Sequence, residues 1–476
     1  MTRFEPVIGL EVHVQLATAT KAFTSASAAY GAAPNTHTDP YTLALPGTLP
    51  VLSRAAVEYA LRLGLAVQCA IRPLSRFARK HYFYPDSPKG FQITQMDEPL
   101  CQGGRIQFVV DGEVRQVRLN RIHMEEDAGK NTHVAGAPYS LVDYNRAGVP
   151  LVEIVSEPEL RSAAEAAAYL RAIRQLVRWL AISDGNMEEG SLRCDANVSV
   201  RPVGETKLGT KAELKNMNSF KNVEAAIEYE IARQSDLLAR GQRVVQETRL
   251  WNADKGTSHA MRSKEHAHDY RYFPEPDLPP LRIPDELVAR LGGGLPELPI
   301  PRRQRFIDSY GLSPYDAGVL TAEKSIAEYF EAVVRGGVDA KAAANWIAVE
   351  LLARLNRDGK SIEHTPVNAT NLAELIGLMA DKTISGKIAK DVFEKMWTGK
   401  LRAREIVESE GLVQVTDAGA LEAACRAAVE GNPKQVEQYK KGNEKLIGYF
   451  VGQVMKATQG KANPEMVNEI LKRLLS

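Results

Sequence analysis

Cysteine is scarce in this chain. Among 476 residues there are four, Cys69, Cys101, Cys194 and Cys425, scattered and without a CxxC pair. That pattern argues against a zinc ribbon and against a disulfide framework. Neither sign of charge dominates: 60 Lys+Arg stand against 59 Asp+Glu, a formal +1. A histone-like basic coat and a highly charged disordered chain are excluded, although opposite local charges cancel in such a sum. No apolar run approaches the ~18 residues of a membrane helix. The opening Met1-Thr-Arg-Phe-Glu-Pro has an acid where a secretory signal would be apolar, so a cytoplasmic protein is expected.

Several catalytic signatures are missing as well. Without GxxxxGK[ST] a P-loop is unsupported, and without GxGxxG after a strand so is a Rossmann dinucleotide site. HExxH and GxSxG are absent, which disfavours a zincin protease and a hydrolase elbow. Cys194 falls on the apolar phase of a strand, where a packed core thiol is expected rather than a nucleophile.

What remains is ordinary globular material, 44% hydrophobic and 25% charged, with enough length for two to four domains at roughly 100–200 residues each. Eight of the 25 prolines lie between Pro274 and Pro301, together with Gly292-Gly293-Gly294. Such a stretch predicts a boundary and no internal helix or central strand. Beyond it the sequence reads as helical, with Ala-rich amphipathic runs over Ala340–Leu355 and Ile384–Met396 and a softer break near Thr398–Leu412. The expected divisions are 1–292, 293–405 and 406–476.

Before the boundary, strands alternate. Ile8, Leu10, Val12, Val14 and Leu16 share one phase, and Gly9, Glu11, His13 and Gln15 the other. Leu192–Arg201 and Lys211–Lys215 alternate likewise, and Asp111-Gly112 predicts a hairpin between Arg105–Val110 and Glu113–Met124. Clean alternation predicts an antiparallel sheet with one dry face. Helices over Ser53–Gly64, Ser162–Ile182 and Asn222–Gly241 would cover it, with Ser53 as N-cap and Gly64 as C-cap of the first. The fold class is thus α+β: an antiparallel-sheet cradle, an all-α helical domain and a small helical tail domain.

The second phase carries the chemistry. Glu11 and His13 lie ~6.5–7 Å apart along one strand face. His123-Met-Glu125-Glu126-Asp127 closes a strand with three acids, and Lys211-Ala-Glu213-Leu-Lys215 sets a carboxylate between lysines. Carboxylates with an imidazole hold divalent cations, and lysines beside such a cation contact phosphate. Each segment alone reads equally as a wet strand end or as cross-strand charge pairing. Their co-occurrence points to a metal–phosphate site. Lys80, Tyr84 and Lys89, in Arg79-Lys-His-Tyr-Phe-Tyr-Pro-Asp-Ser-Pro-Lys89, mix cations with aromatics in a manner suited to a nucleotide, and Arg262 lies in a similar segment. From Pro433 to Ser476 eight basic residues face four acids, a surplus of +4 suited to a phosphate backbone or simply to solvent.

Eight motifs, in order, carry a resemblance: Gly9-Leu-Glu-Val-His-Val-Gln-Leu16, Leu45-Pro-Gly-Thr-Leu-Pro50, Arg79-Lys-His-Tyr-Phe-Tyr-Pro-Asp86, Arg121-Ile-His-Met-Glu-Glu-Asp-Ala-Gly-Lys130, Val142-Asp-Tyr-Asn-Arg-Ala-Gly-Val-Pro150, Asn186-Met-Glu-Glu-Gly-Ser-Leu-Arg-Cys-Asp-Ala-Asn197, Lys211-Ala-Glu-Leu-Lys-Asn216 and Asp269-Tyr-Arg-Tyr-Phe-Pro-Glu-Pro-Asp277. Along essentially its whole length the chain resembles the B-subunit family of bacterial aspartyl/glutamyl-tRNA amidotransferases. The resemblance implies a first domain similar to the glutamine synthetase catalytic cradle. It implies that ATP activates the side-chain carboxylate of Glu-tRNA(Gln) or Asp-tRNA(Asn) as an acyl-phosphate, which ammonia then amidates. No glutaminase nucleophile motif is present, so an outside ammonia source is required; the resemblance implies the amidase (A) subunit as that source, with the small C subunit completing a heterotrimer. By resemblance, Glu11, His13 and Glu125 or Glu126 form the catalytic metal site, with Glu213 a further candidate, for magnesium first and manganese as the alternative. Lys80 and Lys211 are assigned to ATP phosphate. Lys440, Lys441, Lys445, Lys456 and Lys461 face tRNA. The competing expectation is a non-catalytic tRNA-binding scaffold.

Overall fold

The computed structural model describes residues 3–134, 136–261, 270–399, 401–413, 418–458 and 462–475. Two compact units emerge, Met1–Arg302 and Arg303–Ser476.

The first unit is built on a ten-stranded sheet. From one edge its strands run Thr257–Ala260, Thr248–Asn252, Ala212–Lys215, Leu192–Pro202, Phe4–Gln15, Pro150–Ser156, Glu113–Glu126, Cys101–Gln102 and Ala70–Ile71, with Arg105–Val110 paired to Glu113–Glu126. The hairpin joining these last two turns at Asp111 (φ 52°) and Gly112 (φ 82°), the two positive values a tight primed turn requires. The antiparallel expectation needs one correction. Ala212–Lys215 and Thr248–Asn252 pair in parallel, because helix Phe220–Ala239 lies between them in the chain and returns it as a crossover. The sheet is therefore mixed, within an α+β unit.

One face is dry. Ile8, Leu10, Val12 and Val14 are buried there with residues of helices Arg54–Ala66, Ala163–Trp179 and Phe220–Ala239. Each helix opens on a serine whose hydroxyl accepts a backbone N–H three residues on, Ser53 from Ala56, Ser162 from Glu165 and Ser219 from Asn222. Gly64 is not a C-cap. The helix runs through it to Ala66, and a Cβ at this position would collide with the sulfur of buried Cys101. Glycine is needed here for close packing, not for a left-handed turn.

The proline-rich stretch also differs from expectation, because its proline-free middle forms the helix Asp285–Gly293, N-capped at Pro284. Pro299 opens the next helix, Pro299–Tyr310, where a missing N–H costs nothing.

The second unit is helical throughout its described residues. The run expected as one helix over Ala340–Leu355 is interrupted by a π-helical segment, Trp346–Leu351, before Leu352–Asp358 ends at left-handed Gly359. Its last part has a core of its own, formed by Leu421, Cys425, Phe450, Val454, Val467, Ile470, Leu471 and others, all between 421 and 475.

Candidate functional site

The other face of the sheet gathers charge, and cross-strand register assembles it. On the central strand Phe4–Gln15, His13 lies opposite Glu153 on one side and Arg193 on the other. Glu153 lies in turn opposite His123. His13 Nε2 is 3.4 Å from Glu153 Oε2 and 3.6 Å from Glu125 Oε1, while His123 Nε2 is 3.4 Å from Glu153 Oε2 and 3.9 Å from Glu125 Oε2. One donor atom each from His13, Glu125 and Glu153 lies within 4.8 Å of the others. This mixed carboxylate–imidazole set fits a hard or borderline divalent cation.

The electrostatics have the same sense. Burial works against charge on His13, but its hydrogen bond to Glu153 and the charges of Glu125 and Glu153 outweigh that, and Arg193, and hold the imidazole above its usual range. On His123 burial wins and the value falls. Burial alone would raise Glu153, yet His13, His123 and Lys80 pull it down to about 2. The buried Glu153 carboxylate thus depends on neighbouring positive charge, which a bound cation would supply while displacing protons from the ligands.

A second acidic group adjoins the first. Glu11 faces Asp195 across one strand pair, and Asn197 faces Glu213 across the next. Asn197 Nδ2 donates to Glu11 Oε1 at 2.9 Å. Lys215 Nζ lies 2.6 Å from Asp195 Oδ2 and 3.0 Å from Glu213 Oε1, and Thr248 Oγ1 donates to Glu213 Oε2 at 2.7 Å. Burial, then repulsion from Glu153 and Glu213, raises the Glu11 carboxyl. For Glu213, burial is outweighed by Lys215, Thr248 and Lys211, and its carboxyl is lowered.

Adjacent acids on one strand diverge. Glu125 joins the histidines, whereas Glu126 forms an ion pair with Lys89 and accepts the Ile93 N–H at 2.9 Å, away from the cluster. Lys89 also lies 4.8 Å from the Tyr41 ring centroid. Lys80 lies 5.1 Å from the Tyr270 ring centroid; burial lowers its ammonium, but Glu125, Tyr272, Tyr270 and Glu153 more than compensate and raise it. Tyr84 stacks at 5.7 Å on Tyr82 with its side partly exposed. Lys211 stands exposed, one residue before strand Ala212–Lys215. Lys440, Lys441, Lys445 and Lys456 are exposed on the helical tail. Arg262 and Lys461 lie outside the described residues.

Sequence reasoning did not single out Glu153, His123, Asp195 or Lys215 as site residues. Glu153 had a readable signal, a lone acid within the otherwise apolar strand Pro150–Ser156. A buried carboxylate in such a run needs a partner.

Residues 6–289 match the family model of the GatB/GatE catalytic domain, and residues 328–475 match that of the GatB domain. A charged sheet face in a domain of that description defines the class, a GatB/GatE-type catalytic chain. Curated relatives named as the B subunit of aspartyl/glutamyl-tRNA(Asn/Gln) amidotransferase include those of Halorhodospira halophila, 56% identical with 99% of each chain covered, and of Thioalkalivibrio sulfidiphilus, 55% identical at the same coverage. That of Thermodesulfovibrio yellowstonii is 52% identical, again over 99% of each chain. The chain belongs to the B-subunit family of aspartyl/glutamyl-tRNA(Asn/Gln) amidotransferases.

Proposed function

We propose that this chain is the activating subunit of a tRNA-dependent amidotransferase. With ATP it converts the side-chain carboxylate of Glu-tRNA(Gln), Asp-tRNA(Asn) or both into an acyl-phosphate. Ammonia then replaces phosphate to leave the amide. The observation that carries the reading is the convergence of His13, Glu125 and Glu153 within 4.8 Å on the charged sheet face of a chain of this family. A carboxylate is a poor electrophile, and phosphoryl transfer is catalysed mainly by positioning and charge neutralisation.

His13, Glu125 and Glu153 would hold magnesium, with manganese the alternative that tolerates imidazole better. When bound, the cation supplies charge neutralisation at the phosphates. Glu11 and Glu213 offer further oxygen ligands beside it. Lys80, whose ammonium is under the influence of Glu125 and Glu153, would hold an ATP phosphate. Buried acids of this density repel RNA phosphate unless a cation intervenes, which disfavours the pure scaffold.

The partners are the amidase (A) subunit, which is the ammonia source, and the small C subunit, in the cytoplasm; among the described residues no helix is long and apolar enough to cross a membrane. The cradle at 1–292 is read as similar to the glutamine synthetase catalytic domain, followed by a helical part at 293–405. A tRNA-facing tail at 406–476 is supported by the separate core between residues 421 and 475.

The test is amide formation with free ammonia or with glutamine, with and without the amidase. Ammonia should suffice for the chain with its mischarged tRNA and ATP, and glutamine should serve only when the amidase is added. Glu153→Gln should slow ATP-dependent phosphorylation by about 1,000-fold, several kcal/mol of lost charge stabilisation. Full phosphorylation by that variant would remove the site from this face.

A further inference from the structure

We propose that Arg79 is a positioning residue, which fixes Lys80 by clamping the segment Tyr270–Asp277 onto strand Ala78–His81. This rests on the reading of Lys80 as a phosphate-binding group. Side chains alternate along that strand. Lys80 is on the side of the acidic cluster, beside the Tyr270 ring at 5.1 Å. Arg79 and His81 occupy the opposite side.

The clamp is built from several interactions. Arg79 Nε donates to Glu275 Oε2 and Arg79 Nη2 to Glu275 Oε1, both at 2.8 Å, and Nη2 also reaches Asp277 Oδ2 at 3.0 Å. The guanidinium lies 4.2 Å from the Phe91 ring centroid and 5.7 Å from that of Phe273. Only 1% of the Glu275 side chain is exposed, so this is a forked ion pair in a dry setting, an arrangement that dictates orientation.

His81 adds a second attachment. Its backbone N–H donates to the Tyr270 carbonyl at 3.0 Å, and its ring Nδ1 lies 3.2 and 3.0 Å from the carbonyls of Tyr270 and Arg271. Phe273 pairs with Arg79, and Pro274 with Ala78, along the backbone. Between these attachments Arg271 holds φ 41°, a left-handed conformation that a non-glycine residue keeps only where its surroundings impose it.

None of Arg79's partners belongs to the acidic cluster. Its influence on the reaction therefore runs through Tyr270 and Lys80. A Lys80 ammonium released from its place loses contact with a phosphate in ground state and transition state alike, so the clamp acts on ATP affinity without touching substrate.

The experiment measures KM for ATP and kcat in ammonia-supported amidation by the complete complex. The variants are Arg79→Gln, Lys80→Ala and their combination. Arg79→Gln should raise KM about tenfold with kcat within about twofold. In the Lys80→Ala background the same substitution should add less than about twofold, because both act through one ammonium. An unaltered KM in Arg79→Gln, or an equal tenfold effect without Lys80, overturns the positioning role and leaves the site reading intact. An unaltered KM in Lys80→Ala overturns the reading of Lys80 and the clamp with it. Arg79→Lys keeps the charge but loses the fork, so it should raise KM by about threefold. It supplies the same readout should Arg79→Gln fail to fold.

Discussion

Leu10 and Glu11 are neighbours in sequence and opposites in environment. Leu10, 1% exposed, points into the dry face among Ile8, Val12 and the covering helices. Glu11 points to the charged face, bonded by Asn197 and repelled by Glu153 and Glu213. The same backbone thus serves two purposes through its period of two. The dry face is satisfied internally, because every apolar side chain there meets another. The charged face brings Glu11, Glu125, Glu153, Asp195 and Glu213 together with His13, Lys80 and Lys215, the donor types that the proposed cation and phosphates would need.

The largest effect expected from this contrast comes from a substitution on each face. Glu11→Gln retains the shape of a protonated carboxyl, so thermal unfolding should hardly change while ATP-dependent phosphorylation of the mischarged tRNA falls by about 100-fold or more. Leu10→Ala should do the reverse: about 2–5 kcal/mol of stability lost to a cavity, with activity per folded molecule retained. Calorimetry beside a phosphorylation assay measures both. Equal loss of stability in the two variants, with phosphorylation intact in Glu11→Gln, would make the charged face merely structural.

A smaller effect sharpens the dry side. Gly64→Ala places a methyl against the Cys101 sulfur, with Ile71 Cδ1 a further 3.2 Å neighbour. Overpacking of this kind should cost about 1–3 kcal/mol. A melting temperature unchanged by Gly64→Ala would mean that Cys101 yields, and that helix Arg54–Ala66 is less tightly seated than its burial implies.

The two faces were unequally legible in the sequence. Period-two alternation marks the dry face directly, and Ser53 marks the start of one covering helix, whereas the Ser219 cap of another precedes the start expected at Asn222. The charged face needs register as well. Glu11 and His13 are visible as a pair on one strand, but Glu153 comes to His13 only through antiparallel pairing between residues more than a hundred positions apart. Alternation separates Glu125 from Glu126, yet the sequence does not say that Lys89 waits for Glu126. Lys215, not Lys211, carries the ion pairs to Asp195 and Glu213, because Lys211 falls just outside the strand. The parallel pair escaped because strand Thr248–Asn252 turns Arg249 and Trp251 inward and so shows no apolar alternation, leaving the helix expected over Asn222–Gly241 with no strand to return to. Gly64 escaped because close approach to Cys101 is a tertiary fact. The π-helical turn at Trp346–Leu351 keeps helical apolar spacing and so leaves no mark in the periodicity.

The smallest expected effect tests the reach of the contrast into the tail, where charge is exposed and diffuse. Truncation at Pro433 is a poor probe, since it would strip Phe450, Val454, Val467 and Leu471 from Leu421 and Cys425 and so unfold the tail's core. Charge substitution leaves that core alone. Lys440 closes helix Pro433–Lys440 and Lys445 lies in the turn Glu444–Leu446, both exposed. Lys440→Gln and Lys445→Gln should each weaken tRNA binding several-fold, alike for every tRNA, and each should flatten the slope of log affinity against log salt by about 0.7–0.9 for every phosphate no longer neutralised. Glu11→Gln should leave that slope unchanged. If the lysine variants keep the full slope, the +4 surplus of this tail is a solvated surface, and the cations that hold tRNA lie elsewhere on the chain or on its partners.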